Sequence, residues 1–181
     1  RDEESLPADA DLGSSIVNTL DRSKFLVVLC SPRAVESTYV ADEIHHFKKS
    51  EKGDRIIAAI VAGEPGDAKQ ECFPAPLKHP IASDGALNIA IEEEPIAADC
   101  IQRDDSEGYT SAEAYKLALL KNPDISRRQA KRWAEAYDGK LQLMKLKIIA
   151  GILGVPLETL RDRDQAYQLE LARKRARVFR R

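Results

Sequence analysis

FLVVLCSPRAVESTYVADEIHHFK, residues 25–48, runs from a continuous apolar stretch into a patterned polar one, with only Ser31-Pro32 between them. The first six residues are short, rich in Val and Leu, and apolar on both faces, the pattern of a strand buried in a parallel sheet. Residues 34–49 then set Val35, Tyr39, Val40, Ile44 and Phe47 along one side of a helix. Upstream, residues 10–22 place Leu12, Ile16, Val17 and Leu20 at helical spacing. Downstream, RIIAAIVAG (55–63) reads as a second buried strand closed by Gly63, Pro65 and Gly66. Helix, strand, helix, strand with short connections is the α/β pattern, which implies a parallel sheet with right-handed crossovers.

The rest of the chain is more helical. Residues 64–94 read as a long loop with four prolines, and PIAADCI (95–101) as a third short strand. Thr110 with Glu113, and Ser126 with Gln129, have the spacing of a capping box. They place helices near 111–121 and 127–137. Leu141, Met144, Ile148, Ile149 and Ile152 define another helix over 140–153, which Gly154 stops, and Pro156 can open a last long one. Trp133 and Tyr137 read as packing between these helices.

Composition excludes several classes. The chain has 181 residues, a formal net charge of −2, 43 % hydrophobic and 6 % aromatic residues, which suit a folded domain rather than a disordered or fibrous chain. Its apolar runs are far too short to span a bilayer. Three dispersed cysteines, with no CxxC, argue against a disulfide scaffold or zinc ribbon and fit a reducing, cytoplasmic compartment. The chain opens on Arg1, without Met and without a leader, and reads as a piece of a longer protein. Its charge is uneven: RKRARVFRR (173–181) holds six basic groups and no acidic one. That run suits an anionic membrane surface, or it is a solvated helix end favoured by the helix dipole. Nucleic acid is not expected as a partner, because the body is acidic and few aromatics interleave with the basic residues.

The most informative local feature is a carboxylate. Tyr39, Glu43 and Phe47 are four apart and share a helix face. Either Glu43 is partly desolvated there, with its pKa raised, or it tilts to water at the edge of the stripe. The helix follows a buried strand, and open parallel sheets place their ligand crevices at the carboxyl ends of strands. His45 and His46 are adjacent and cannot chelate one metal as an i, i+4 pair would, so no metal site is expected. Phosphate-loop, dinucleotide and hydrolase-elbow motifs are missing from the sequence.

RDEESLPADADLGSSIVNTLDRSKFLVVLCSPRAVESTYVADEIHHFK, RIIAAIVAGEP, ECFPAPL, PIAAD and KLKIIAGILGVPLETLRDRD together resemble a bacterial Toll/interleukin-1 receptor (TIR) domain. The block LCSPRAVESTYVADEI carries most of the likeness. The resemblance implies an α/β, flavodoxin-like parallel sheet in 2-1-3-4-5 order, with the first two strands preceding Arg1 and additional C-terminal helices. It divides the chain into a partial TIR domain (1–103), a helical insertion (104–139), a last TIR-associated helix and turn (140–160), and a charged helix with a basic tail (161–181). The strand starting at Phe25 would then present an unpaired edge.

Many TIR domains cleave NAD between nicotinamide and ribose, with a glutamate four residues after an aromatic, usually Trp. That spacing falls on Tyr39 and Glu43. The resemblance makes Glu43 the expected catalytic group and Tyr39 a pocket residue. Ser31, Arg33 and Arg1 are further candidates for contact with the dinucleotide. NAD is substrate here, and no cofactor is expected. The expected partners are other TIR domains. Two functions stand side by side: an NAD glycohydrolase in bacterial signalling or antiphage defence, and a TIR–TIR interaction module without turnover. Either could be membrane-tethered if a spanning helix follows Arg181, with the basic tail on its cytoplasmic side.

Overall fold

The computed structural model describes residues 12–101 and 107–178, with side chains described for all of these but 12, 14 and 172–178. Arg1, the acidic loop 1–9 and the side chains of the basic tail therefore lie outside the described residues. Helix α1 (Leu12–Arg22) leads to strand β1 (Leu26–Cys30), short helix α2 (Pro32–Glu36) and helix α3 (Thr38–Phe47). Strand β2 (Ile56–Ile60), one-turn helix α4 (Ala75–Lys78) and strand β3 (Ala97–Asp99) follow, then helices α5 (Ala112–Leu119), α6 (Arg127–Leu153) and α7 (Leu157–Val178). The strands form one parallel sheet in the order β1-β2-β3.

The segment expected to be one helix over 34–49 is two. Ser31 caps α2, its hydroxyl accepting from the Ala34 N–H at 3.2 Å, and Pro32 occupies the first helical turn. Ser37, in extended conformation, closes α2 and opens α3, accepting from Val40 N–H at 3.3 Å. A serine satisfies free N–H groups at a helix start better than it fits an interior, so two serines punctuate what apolar spacing reads as continuous. After Phe47 the chain makes a π-helical turn, Lys48–Lys52, in which Glu51 adopts φ 57°.

Strand β1 is also not apolar-buried on both faces. Val28 and Cys30 are buried, whereas Val27 is 40 % and Leu29 61 % exposed. One face of β1 is thus covered, and among the described residues β1 pairs with β2 alone. The loop after β2 begins at Gly63, with φ 83°. A Cβ there would lie 2.4 Å from the Gln70 carbonyl oxygen and 2.8 Å from Pro32, so only glycine lets the chain turn so tightly.

By compactness the chain forms two units. One runs from α1 to Ala58 and includes Gly63–Ile96; the other comprises Ala59–Ala62 and the chain from Ala97 onward. The first is built on Leu20, Val28, Ile44, Phe47, Phe73 and Leu77. The second is built around Tyr137, fully buried with Cys100, Tyr115 and Leu141. The Tyr137 hydroxyl accepts from Tyr109 N–H at 2.6 Å and lies 3.1 Å from the Cys100 carbonyl. Trp133, expected in the packing here, is 43 % exposed.

Ser126 forms the expected capping box with Gln129. At α5 the cap is Ser111 rather than Thr110, accepting from Ala114 N–H at 3.1 Å, while Glu113 pairs with Lys116. The helices expected at 127–137 and 140–153 are one, α6, 27 residues long and stopped by Gly154 at φ 62°. Gly139 does not break it because buried Ala134, Tyr137 and Leu141 anchor the helix on both sides.

A Cβ at Gly139 would meet nothing within 4 Å. Gly139→Ala therefore removes only the backbone-entropy cost of glycine, and is expected to stabilise by about 0.5–1 kcal/mol. Urea denaturation should show a higher midpoint with an unchanged slope; a lower midpoint would mean that α6 needs a bend there.

Candidate functional site

Helix α3 assigns its residues to two environments by angle. At 100° per residue, Phe47, Val40 and Ile44 lie within about 60° of one another. Ile44 and Phe47 are 1 % and 0 % exposed. This is the packing stripe. Glu43 projects about 40° from Phe47, at the border between that stripe and an open side. The open side bears Tyr39, Asp42, His45 and His46, with Lys49 beyond the helix end. Together with Gly13, Ile16, Val17 and Leu20 of α1 these line a cavity of about 580 Å³. Helices α1 and α3 pack together, so one wall is apolar and the other polar, a common composition for a small-molecule site.

Position explains the electrostatics. Partial burial raises the Glu43 carboxyl above its ordinary pKa, and no described residue donates a hydrogen bond that would offset it. Tyr39 stands at the rim, 79 % exposed.

Two ties hold α1 over α3. The Lys52 ammonium, beyond the π turn, donates to the carbonyls of Asp21, Ser23 and Leu20 at 2.7, 3.2 and 3.4 Å. It thereby satisfies the open end of α1, where a cation also suits the helix dipole. The same ammonium sits 5.2 Å over the Phe47 ring. Second, His46 Nε2 lies 2.7 Å from Asp21 Oδ1. His45 reaches the Gly85 carbonyl at 3.0 Å, and Lys48 donates to the His79 carbonyl at 3.0 Å. Burial lowers the Lys48 pKa, against the attraction of Glu93.

Of the residues read from sequence as site candidates, the structure brings Glu43 and Tyr39 together at this cavity. Ser31 is occupied as the cap of α2, and Arg33 is exposed on α2; neither lines the cavity. Arg1 lies outside the described residues. Sequence reasoning missed Asp42, His46 and Lys49 as lining groups. Their signal was the spacing 39, 42, 43, 46, 49, which continues the Tyr39–Glu43 face by threes and fours. It placed Ile16 and Val17 at helical spacing without a role; in the structure they form the apolar wall. Among the described residues, no cluster of His, Cys, Asp and Glu could hold a metal ion. No helix among them is long and apolar enough to cross a membrane.

A second hollow, about 350 Å³, is lined by Glu71, Lys78, Glu92 and their neighbours. Its lysine bridges two of its carboxylates. Lys78 Nζ lies 2.9 Å from Glu71 and 3.5 Å from Glu92. Desolvation opposes the charge of Glu71, yet the N–H groups of Phe73 and Cys72 and the Lys78 ammonium hold its pKa below the ordinary value. This arrangement pins a loop.

Residues 2–65 match the family described as Thoeris protein ThsB, TIR-like domain. A protein named NAD(+) hydrolase ApTIR, from an Actinoplanes species, is 39 % identical over 64 residues, which are 35 % of this chain and 9 % of that protein. This chain thus spans only a small part of the relative it matches. No solved structure matches. With its α/β layering and three-stranded parallel sheet, the structure is consistent with a TIR-like flavodoxin fold.

A carboxyl whose folded pKa is raised favours folding while protonated. That contribution is fully present below the ordinary carboxylate range and is lost as pH rises through the raised value. At pH 7 the ionised Glu43 is therefore a cost that Glu43→Gln removes. The variant should melt at higher temperature than the parent at pH 7, and the two should converge near pH 3. Equal melting temperatures at pH 7 would show that the carboxylate is fully solvated.

Proposed function

We propose that this chain, a bacterial TIR-domain protein whose family match spans residues 2–65, supplies the catalytic carboxylate of an NAD glycohydrolase, and that Glu43 is that group. The observation that carries the reading is Glu43 itself: a half-buried carboxylate at the edge of a cavity with one apolar wall and an exposed tyrosine at its rim. The name of the Actinoplanes relative supports the same substrate.

One carboxylate suffices for this chemistry. In NAD the ring nitrogen is already cationic, so the C1′–N bond breaks with its electron pair going to the ring, and nicotinamide departs neutral without a proton donor. Positive charge develops on the ribose, in an oxocarbenium-like state. Glu43, ionised at neutral pH and short of water, stabilises that charge and can accept hydrogen bonds from the ribose hydroxyls. Water then attacks C1′ and releases a proton, giving ADP-ribose. The apolar wall of Ile16, Val17 and Leu20 offers a surface against which a flat ring can lie. By this reading the protein acts as a signalling or defence effector.

The second reading, an interaction module that binds other TIR domains without turnover, is favoured by the exposed Val27 and Leu29 face of β1. The basic tail can add attraction to an anionic membrane in either case.

The two readings part on one assay. Full-length protein incubated with NAD should release nicotinamide, and Glu43→Ala should lower kcat by at least about a thousandfold, the scale of removing a main electrostatic stabiliser, with an unchanged circular dichroism spectrum. Undiminished turnover in Glu43→Ala would dismiss Glu43. Self-association in sedimentation without any nicotinamide release would establish the interaction module instead.

A further inference from the structure

We propose that Lys49 is the anion-recognising group of this cavity, so that a bound dinucleotide lies along α3 with its nicotinamide ribose at Glu43 and its pyrophosphate at Lys49. The proposal builds on the reading of Glu43 as the group that faces the ribose.

Charge is distributed unevenly along the polar wall. Its carboxylates, Asp42 and Glu43, sit on one turn of α3, and its lysine, Lys49, lies beyond the helix end. The neighbouring nitrogen groups are engaged. His46 is held by Asp21 and His45 by the Gly85 carbonyl. Of the three lysines that follow α3, Lys48 is held by the His79 carbonyl and Lys52 by the end of α1. Lys49 is exposed, lines the cavity, and has no ion pair or hydrogen bond among the described residues.

Backbone geometry places it there. The π turn begins at Lys48, directly after the last α-helical residue, and closes through Glu51 at φ 57°, ψ 29°, a left-handed conformation unfavourable for a non-glycine residue. Lys48 and Lys49 keep helical backbone ahead of Ser50 and Glu51 and so point about 100° apart, Lys48 toward the His79 carbonyl and Lys49 onto the cavity side, while the turn returns Lys52 to the end of α1. π-Helical turns of this kind recur at functional sites.

The spacing suits the ligand. Six residues separate Glu43 from Lys49, about 9 Å of helix rise. In a dinucleotide, C1′ and the nearest phosphorus are five bonds apart through the ribose, roughly 6 Å when extended. A lysine side chain spans the remainder. Phosphate placed instead at the Asp42–Glu43 turn would face two carboxylates, so the charges allow one direction of binding and oppose the reverse.

The test uses binding, so that it does not depend on turnover. ADP-ribose carries the pyrophosphate without nicotinamide. Titrated calorimetrically into full-length Glu43→Gln protein, it should bind with an affinity that falls as salt rises. Adding Lys49→Glu should weaken it at least about tenfold and flatten the salt dependence, as expected on reversing a charge-assisted contact. Lys49→Arg should stay within about threefold of the parent, and thermal melts of each variant report on folding. Unchanged ADP-ribose affinity in Lys49→Glu, or no ADP-ribose binding by the parent, would overturn the proposal. Nicotinamide release by wild-type protein is scored separately. Release without Lys49-dependent binding leaves Glu43 standing and removes Lys49; Lys49-dependent binding without release does the opposite.

Discussion

The site depends on one ammonium group. Lys52, delivered by the π turn after α3, closes the C-terminal end of α1 through three carbonyls and covers the Phe47 ring. A helix end left without partners is costly, and a cation at that end also meets the favourable pole of the dipole. The contact therefore fixes where α1 ends relative to the packing stripe of α3. The His46–Asp21 pair adds a second tie from the side. Between them the two helices stay joined at one end while the rest of their facing surfaces line a cavity.

Given that frame, the chemistry follows from angles. Val40, Ile44 and Phe47 claim one side of α3, and Glu43, a short rotation away, cannot avoid partial desolvation. Its charge is thereby costly where no cation is adjacent, which suits the ribosyl cation of the proposed reaction. In the proposed reading, strength of binding falls to other groups, the apolar wall from α1 and Lys49. Stability spent on an ionised Glu43 and on the left-handed Glu51 is regained at Lys52 and in the core.

Much of this was legible in the sequence, for reasons tied to particular residues. FLVVLC and RIIAAIVAG announced strands because they are short, continuous apolar runs bounded by polar and turn residues, and Gly154 announced a helix end because its position demands a left-handed residue. Glu43 stood out as a charge beside a packing stripe. Other features were hidden. Ser37 splits a helix whose apolar spacing runs through it, because a cap is a local hydrogen bond that periodicity does not register. The helices read at 127–137 and 140–153 are one, since burial of residues on either side of Gly139 outweighs its low propensity. Val27 and Leu29 looked buried, but an apolar strand does not say which of its faces is covered. Lys49 continues the spacing of Tyr39 and Glu43, but that spacing does not tell which of Lys48, Lys49 and Lys52 is taken up by carbonyls and which lines the cavity.

Glu43 is proposed as a partly desolvated carboxylate that stabilises a cationic sugar. Its most direct test is the titration of the Glu43 side-chain carboxyl, followed by carbon NMR, in the free protein and with carba-NAD, whose glycosidic bond cannot be cleaved. The Glu43 pKa should lie above the ordinary glutamate value in the free protein and fall markedly when the cationic nicotinamide ring is bound. An ordinary value that the ligand leaves unchanged would contradict it.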